Sequence, residues 1–162
     1  MKNINSLVMS SIAAALLSSV AWASIGSEQV AYGQPGDPKK VSRTVRIEAS
    51  EIKYNIAQLT FKAGETVNFV LVNKGEQDHE LTIGDAAMQL EHRKMMQDMA
   101  AMPNMDMSKM PGHKHAAQSM ITVKPGETKE LVWQFTKLGS FEFACNFPGH
   151  AEVGMAGTIA VR

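Results

Sequence analysis

The sequence predicts an all-β domain, a sandwich or a barrel of about seven short strands, with one helical insertion. β-prone runs of three to eight residues recur from Arg43 to the end of the chain, and turn residues separate them. A chain of 162 residues has room for one such domain and is short for two. The formal net charge is zero, so electrostatics give no support for nucleic-acid binding, and we expect no nucleic-acid partner.

The first 23 residues have the pattern of a signal peptide that directs export. Lys2 supplies a positive start, residues 7–20 are apolar, and Ala21-Trp22-Ala23 gives the small-x-small pattern before a cleavage point. The apolar run is too short for a stable membrane span, although an uncleaved anchor remains the alternative. Residues 24–42 contain several glycines and prolines and few apolar side chains, so we predict a flexible leader there.

The strands of the predicted domain, residues 43–162, follow from alternation and from turn chemistry. Residues 44–49 alternate polar and apolar side chains, as a half-buried strand does, and TVNFVLVN at 66–73 is strongly β-prone. Similar turns, KAGE at 62–65 and KPGE at 124–127, each lead into a strand. We predict strands at 44–49, 59–61, 66–73, 120–123, 128–135, 141–145 and 157–161.

Residues 85–117 interrupt this pattern, because they contain no β-branched side chain. We predict a helix over residues 86–101, with Asp85 as its N-cap and Pro103 as its stop, followed by a loop. Nine of the twelve methionines lie between Met88 and Met120. Those of the helix can form an apolar face that covers the sandwich, because methionine fills irregular gaps.

The loop part of the insertion is harder to explain by packing. Its methionines and histidines alternate with aspartate, lysine, proline and glycine, so they cannot all be buried. Thioethers and imidazoles on a loop suit transient capture of Cu(I), because soft ligands select the cuprous ion. We therefore predict a labile Cu(I) site at Met102, Met105, Met107, Met110, His113 and His115.

Cys145 is the only cysteine in the chain, so it cannot form an internal disulfide. An exposed thiol would be open to oxidation in an oxidising compartment, and metal ligation would protect it. The segment CNFPGHAEVGM spaces Cys145, His150 and Met155 as Cys-x4-His-x4-Met, which offers a thiolate, an imidazole and a thioether from one loop. The alternative is a core cysteine, a surface histidine and a core methionine.

A fourth donor must come from elsewhere in the chain, and His79 is the strongest candidate. It follows the strand at 66–73, whose end a sandwich can bring beside the later loop. The competing donors His92, His113 and His115 lie in the insertion, where no rigid strand holds them. Two imidazoles, a thiolate and a weak thioether form the ligand set of a blue-copper-type electron-transfer centre, whereas zinc prefers a tetrahedral site without a weak axial methionine.

Several short motifs together resemble the cupredoxin family of small type 1 copper proteins, over about residues 44–162. The resemblance implies a Greek-key β-sandwich that holds one copper ion near one end, with backbone N–H groups donating to the thiolate. It also implies the ligands His79, Cys145, His150 and Met155. The motifs are Asn73-Lys74-Gly75, His79-Glu80, Lys124-Pro125-Gly126-Glu127, Gly139-Ser140-Phe141-Glu142-Phe143-Ala144-Cys145, Pro148-Gly149-His150 and Gly154-Met155-Ala156-Gly157.

Glu80 stands where the family often has asparagine. This departure, together with the methionine-rich insertion, resembles a branch of periplasmic cupredoxins linked to copper tolerance, which implies a periplasmic location. The resemblance further assigns Phe147, Pro148 and Ala151 to an apolar patch around the edge of His150, where a redox or copper-transfer protein partner docks. We expect a monomer.

The sequence leaves two functions open and disfavours a third. A copper-homeostasis protein that cycles between Cu(I) and Cu(II) would use the methionine-rich insertion, whereas a soluble electron carrier between respiratory or oxidase partners would not need it. We do not expect an enzyme, because His113-Lys114-His115 is the one His-x-His pair, too few for a trinuclear copper cluster, and no nucleophile–base pair is recognisable.

Overall fold

The structure is a computed structural model that describes residues 30–102 and 117–162. The elements that lie wholly within these residues are ten strands, one α-helix and a short 3-10 turn at Pro38–Lys40. The strands and the helix are β1 (Gln34–Pro35), β2 (Arg43–Ser50), β3 (Lys53–Tyr54), β4 (Gln58–Phe61), β5 (Thr66–Asn73), β6 (His79–Gly84), α1 (Ala86–Ala101), β7 (Met120–Val123), β8 (Thr128–Gln134), β9 (Gly139–Ala144) and β10 (Ala156–Val161).

The strands form two five-stranded sheets. The first has the order β1-β8-β5-β2-β3, and the second has the order β4-β10-β9-β6-β7. Most neighbours are antiparallel, but β2 pairs with β5 and β4 pairs with β10 in parallel. This architecture confirms the predicted Greek-key β-sandwich with an inserted helix. The predicted signal peptide lies outside the described residues.

The hydrophobic core lies between the two sheets. Phe69 of β5 and Phe61 of β4 meet edge to face with their ring centroids 5.7 Å apart, and Phe135 stacks on Phe61 at 4.8 Å. Because close-packed aromatic side chains leave few voids and few alternative rotamers, this core is a stiff frame for the ends of the strands. Its other fully buried members include Ile47, Leu71, Leu81, Ile83, Trp133, Phe143 and Ile159.

All seven predicted strands are present, with ends that shift by one or two residues. The predicted helix is confirmed as α1, and the side chain of Asp85 caps it by accepting the N–H of Met88 at 2.8 Å. Met95 is buried on this helix, whereas Met88, Met96 and Met99 are partly exposed. Within the described ranges, no helix has the length and the apolarity that a membrane crossing requires.

Residues 30–42 join the sandwich, although their composition predicts a flexible leader. Tyr32 is buried, and its ring stacks on Trp133 with the centroids 5.8 Å apart. Gly33, at φ +144°, lets the chain approach this closely, because a Cβ there would lie 2.4 Å from Nε1 of Trp133. β1 then extends the first sheet beside β8. Gly33 and Gly36 of this segment therefore serve close packing, since a Cβ at either position would clash with neighbouring atoms.

Tyr32→Ala should lower the free energy of unfolding by about 3 kcal/mol, because it removes a buried ring and its stacking contact with Trp133. Lys39→Ala is the matched control in the same segment, since the Lys39 side chain is exposed, and it should stay within about 0.5 kcal/mol. Equilibrium urea denaturation of the metal-free proteins measures both values. Equal free energies of unfolding for the two variants would contradict the packing of residues 30–42 against the sandwich.

Candidate metal centre

The pairing of β6 with β9 brings His79 and Cys145 together. The two strands run antiparallel with Thr82 opposite Ala144, so the start of β6 lies close to the residues that follow β9. Ligand atoms of His79, Cys145 and His150 all lie within 4.8 Å of one another, and the three residues are buried. Among the described residues, no other three histidine, cysteine or acidic side chains meet in this way.

Main-chain hydrogen bonds close the loop between Cys145 and Met155 on itself. The N–H of His150 donates to the carbonyl of Phe147, and the N–H of Met155 donates to the carbonyl of His150, both at 3.0 Å. The N–H of Cys145 donates to the carbonyl of Met155, also at 3.0 Å, and Gly149 supplies the turn at φ +88°. The fully buried Met155 therefore lies at the base of the loop, next to Cys145.

The two imidazoles and the thiol face each other inside this loop. Sγ of Cys145 lies 3.3 Å from Nδ1 of His150, and the ring centroids of His79 and His150 are 5.3 Å apart. His150 retains 8% exposure, whereas His79, Cys145 and Met155 have none. The site is thus closed to solvent except along the edge of one imidazole.

The His79 imidazole has no hydrogen-bond partner for either ring nitrogen, although both atoms are buried. A buried polar group without a partner costs free energy, so this arrangement suits a histidine that gives a lone pair to a metal ion. Burial, followed by the nearby imidazole of His150, lowers the pKa of His79, and burial likewise lowers the pKa of His150. Both rings are therefore neutral at pH 7, as ligation requires.

The Cys145 sulfur lies in an apolar setting that also offers hydrogen-bond donors. Burial raises the pKa of this thiol to about 12, against the opposing effect of backbone N–H groups from Glu80 and Phe147. The N–H of Glu80 lies 3.4 Å from Sγ. The metal-free protein therefore holds a protonated thiol at neutral pH, and the N–H groups stand ready to stabilise a thiolate once a cation replaces the proton.

The other predicted site residues have different surroundings. The sequence also offers His92 as a competing donor, but the structure places it outside the cluster, where its Nε2 contacts Oε1 of Glu80 at 3.1 Å. Met102 is exposed at the end of α1, and Met105, Met107, Met110, His113 and His115 lie outside the described residues.

The predicted docking patch borders His150. The ring of Phe147 lies 6.0 Å from that of His150 between centroids, Pro148 is exposed, and Ala151 is partly exposed. The sequence did not predict the roles of three buried polar residues, Thr82, Gln89 and Asn146. Thr82 and Asn146 donate to the carboxylate of Glu80, and Gln89 accepts from the side chain of Asn146. The signal that could have found them was the unusual acidic residue after His79.

The donor set fits copper. Thiolate and thioether sulfur suit Cu(I), imidazole suits both oxidation states, and a His2Cys group with a nearby methionine is typical of blue-copper centres. Fold and site together define a mononuclear copper protein of the cupredoxin class. The chain belongs to the plastocyanin/azurin family, since a family model described as "Copper binding proteins, plastocyanin/azurin family" matches residues 41–162. This confirms the resemblance, and copper is the cofactor.

The chain is also similar to individual proteins of known name. The Copper-resistant cuproprotein CopI of Rubrivivax gelatinosus is 45% identical over 132 residues, which cover 81% of this chain and 73% of the relative. The Copper-resistant cuproprotein CopI of Pseudomonas aeruginosa is 38% identical over 151 residues, with coverages of 82% and 83%. Among solved structures, auracyanin B shares the fold with a TM-score of 0.63 at 19% identity, covering 81% of this chain and 96% of that one.

Proposed function

We propose that the protein serves copper tolerance in the periplasm by binding one copper ion through His79, Cys145, His150 and Met155. The observation that carries the ligand assignment is the buried meeting of two imidazoles and a thiol within 4.8 Å, one imidazole having no other partner. The role in tolerance is supported by the relatives of 45% and 38% identity, which are named copper-resistant cuproproteins. The periplasmic location is supported by the signal-peptide pattern of residues 1–23.

When bound, copper supplies a one-electron couple between Cu(I) and Cu(II). The chain contributes a stiff frame that fixes its donors, because His79 begins the buried strand β6 and Cys145 directly follows β9. Its N–H groups offset the charge of the thiolate, and burial excludes water from three of the four side chains. The slightly exposed edge of His150 offers a redox or copper-transfer partner its nearest approach. We propose no substrate turnover.

Two measurements test this proposal. The purified protein loaded with copper should bind one equivalent, with intense visible absorption and the paramagnetic resonance spectrum of a copper–thiolate centre. Deletion of the gene should make the cells sensitive to copper. A respiratory defect without copper sensitivity would instead favour the soluble electron carrier, and the absence of stoichiometric copper would contradict both.

Copper binding at pH 7 should release one proton per copper ion. The pKa of about 12 keeps Cys145 protonated in the metal-free protein, whereas the lowered pKa values of the two histidines leave them neutral. An indicator dye in weakly buffered solution measures the release during titration, with a copper-into-buffer titration as the control. Binding with no proton released, or with two or three, would contradict this assignment of protonation states.

We further propose that Met102, Met105, Met107, Met110, His113 and His115 capture additional Cu(I). The support is their chemistry, since thioether and imidazole donors alternate there with polar residues. Deleting residues 102–115 should reduce the Cu(I) stoichiometry, measured against a competing chelator, to one ion per chain. Replacing Lys109 and Lys114 with alanine is the matched control. An unchanged Cu(I) stoichiometry and affinity after the deletion would contradict the proposed additional Cu(I) site.

A further inference from the structure

A buried carboxylate lies directly behind the proposed copper ligands. Glu80 is 1% exposed, and its Oε1 accepts from Oγ1 of Thr82 at 2.9 Å and from the N–H of Asn146 at 2.9 Å. Nε2 of His92 contacts the same oxygen at 3.1 Å, and because the oxygen accepts, Nε2 is the donor. Glu80 follows His79 and Asn146 follows Cys145, so this one oxygen connects the two neighbours of proposed ligands.

A second side chain from the inserted helix completes the network. Oε1 of Gln89 accepts from Nδ2 of Asn146 at 2.9 Å, while its Nε2 donates to the carbonyl of Thr82 at 2.8 Å. Asn146 is fully buried and Gln89 is 1% exposed. The main chain of Asn146 is thus bound to Glu80, and its side chain is bound to α1, which leaves it little freedom to rotate.

The position of α1 brings the side chains of Gln89 and His92 to the network around Glu80. Gln89 and His92 are three residues apart and so lie on one face of α1, which also carries the buried Met95. α1 begins right after β6, and a Cβ at Gly84 would lie 1.8 Å from Cε of Met88, so the junction is tight. A helix that interrupts the strand pattern of the sequence therefore contributes two polar side chains, Gln89 and His92, to the network behind the proposed ligands.

We infer that Gln89 and His92 are positioning residues of the copper centre, which hold Asn146 and Glu80 and thereby fix the direction of the Cys145 thiolate. The main-chain N–H of Glu80 donates to Sγ of Cys145 at 3.4 Å. By holding the side chain of Glu80, the network therefore also fixes the position of this N–H donor. Partners beyond the ligands orient those ligands and tune the metal, and the copper–thiolate interaction is sensitive to that orientation. The inference rests on the proposed function, because it concerns the same copper site.

The test uses apolar replacements of similar shape. Gln89→Leu and His92→Phe should keep one copper per chain but shift the visible bands and the midpoint potential. Hydrogen exchange of the metal-free proteins gives the ratio of two rates, that of the main-chain N–H of Asn146 over that of the core main-chain N–H of Leu71. In both variants this ratio should be at least about 10-fold higher than in the wild type. His92→Gln keeps a donor, so its spectrum and its exchange ratio should return toward those of the wild type.

Met95→Ala is the matched control for simple loss of helix packing. It should lower thermal stability while leaving the spectrum and the Asn146 exchange ratio unchanged, because Met95 makes none of these hydrogen bonds. Wild-type spectra and exchange ratios in both Gln89→Leu and His92→Phe would overturn the inference, as would a His92→Gln variant that shifts as far as His92→Phe. A wild-type protein that takes up no copper would instead contradict the proposed function, and the exchange ratios would still test the positioning.

Discussion

Cys145→Ser is expected to abolish the intense visible absorption of the copper-loaded protein. That absorption needs a sulfur-to-copper charge transfer, and a serine hydroxyl is both a hard donor and a far weaker acid than a thiol. Copper affinity should fall by more than the roughly 10–100-fold that is typical when only a partner beyond the ligands is lost. Absorption spectroscopy and competition with a copper chelator measure the two effects.

The interpretation requires that the variant keeps its fold. Serine is nearly isosteric with cysteine, so circular dichroism and thermal unfolding of the metal-free variant should remain close to those of the wild type. Ser119→Ala is a useful control at another buried position, and it should keep the full absorption, because Ser119 has no place in the cluster. A Cys145→Ser protein that retained the absorption would contradict the assignment of this sulfur as a ligand.

His79→Gly is expected to disrupt the copper spectrum in a way that added imidazole can repair. The substitution removes one of the two buried imidazoles and leaves a space of matching shape beside Cys145 and His150. Free imidazole at millimolar concentration should enter that space and restore absorption similar to that of the wild type. Wild-type protein with the same imidazole is the control and should not change. A His79→Gly variant with an unaltered spectrum would show that the fourth donor lies elsewhere.

The sequence predicted the strands best where alternation or a β-prone run was clear, as at residues 66–73 and 120–123. It did not predict β6, because all six of its residues, including three that are polar or charged, are buried, so no polar face marks it. Only the pairing of β6 with β7 and β9 supplies the partners that make such a strand stable. His79 therefore begins a central strand instead of lying in the turn after β5.

The candidate site was predictable where a short motif placed several donors in one loop. Cys145, His150 and Met155 needed only their spacing and the Pro148-Gly149 turn. The network behind them was not predictable, because the distance from Glu80 to Asn146 depends on the pairing of β6 with β9, and the distance from Glu80 to His92 depends on how α1 docks against these strands. His92 is an example, because its sequence position makes it a candidate metal ligand, whereas in the fold it is a hydrogen-bond donor to Glu80.

The parallel pairing of β4 with β10 has a consequence for the order of events during folding. Residues 58–61 can pair only once residues 158–161 are in place, so this ladder closes a loop of about a hundred residues. Such non-local closure is slow. β10 also lies between β4 and β9, so the second sheet is incomplete until it arrives. Until β10 arrives, the sheet that encloses Cys145 is incomplete, so the thiol is open to oxidation or to early capture of a metal ion.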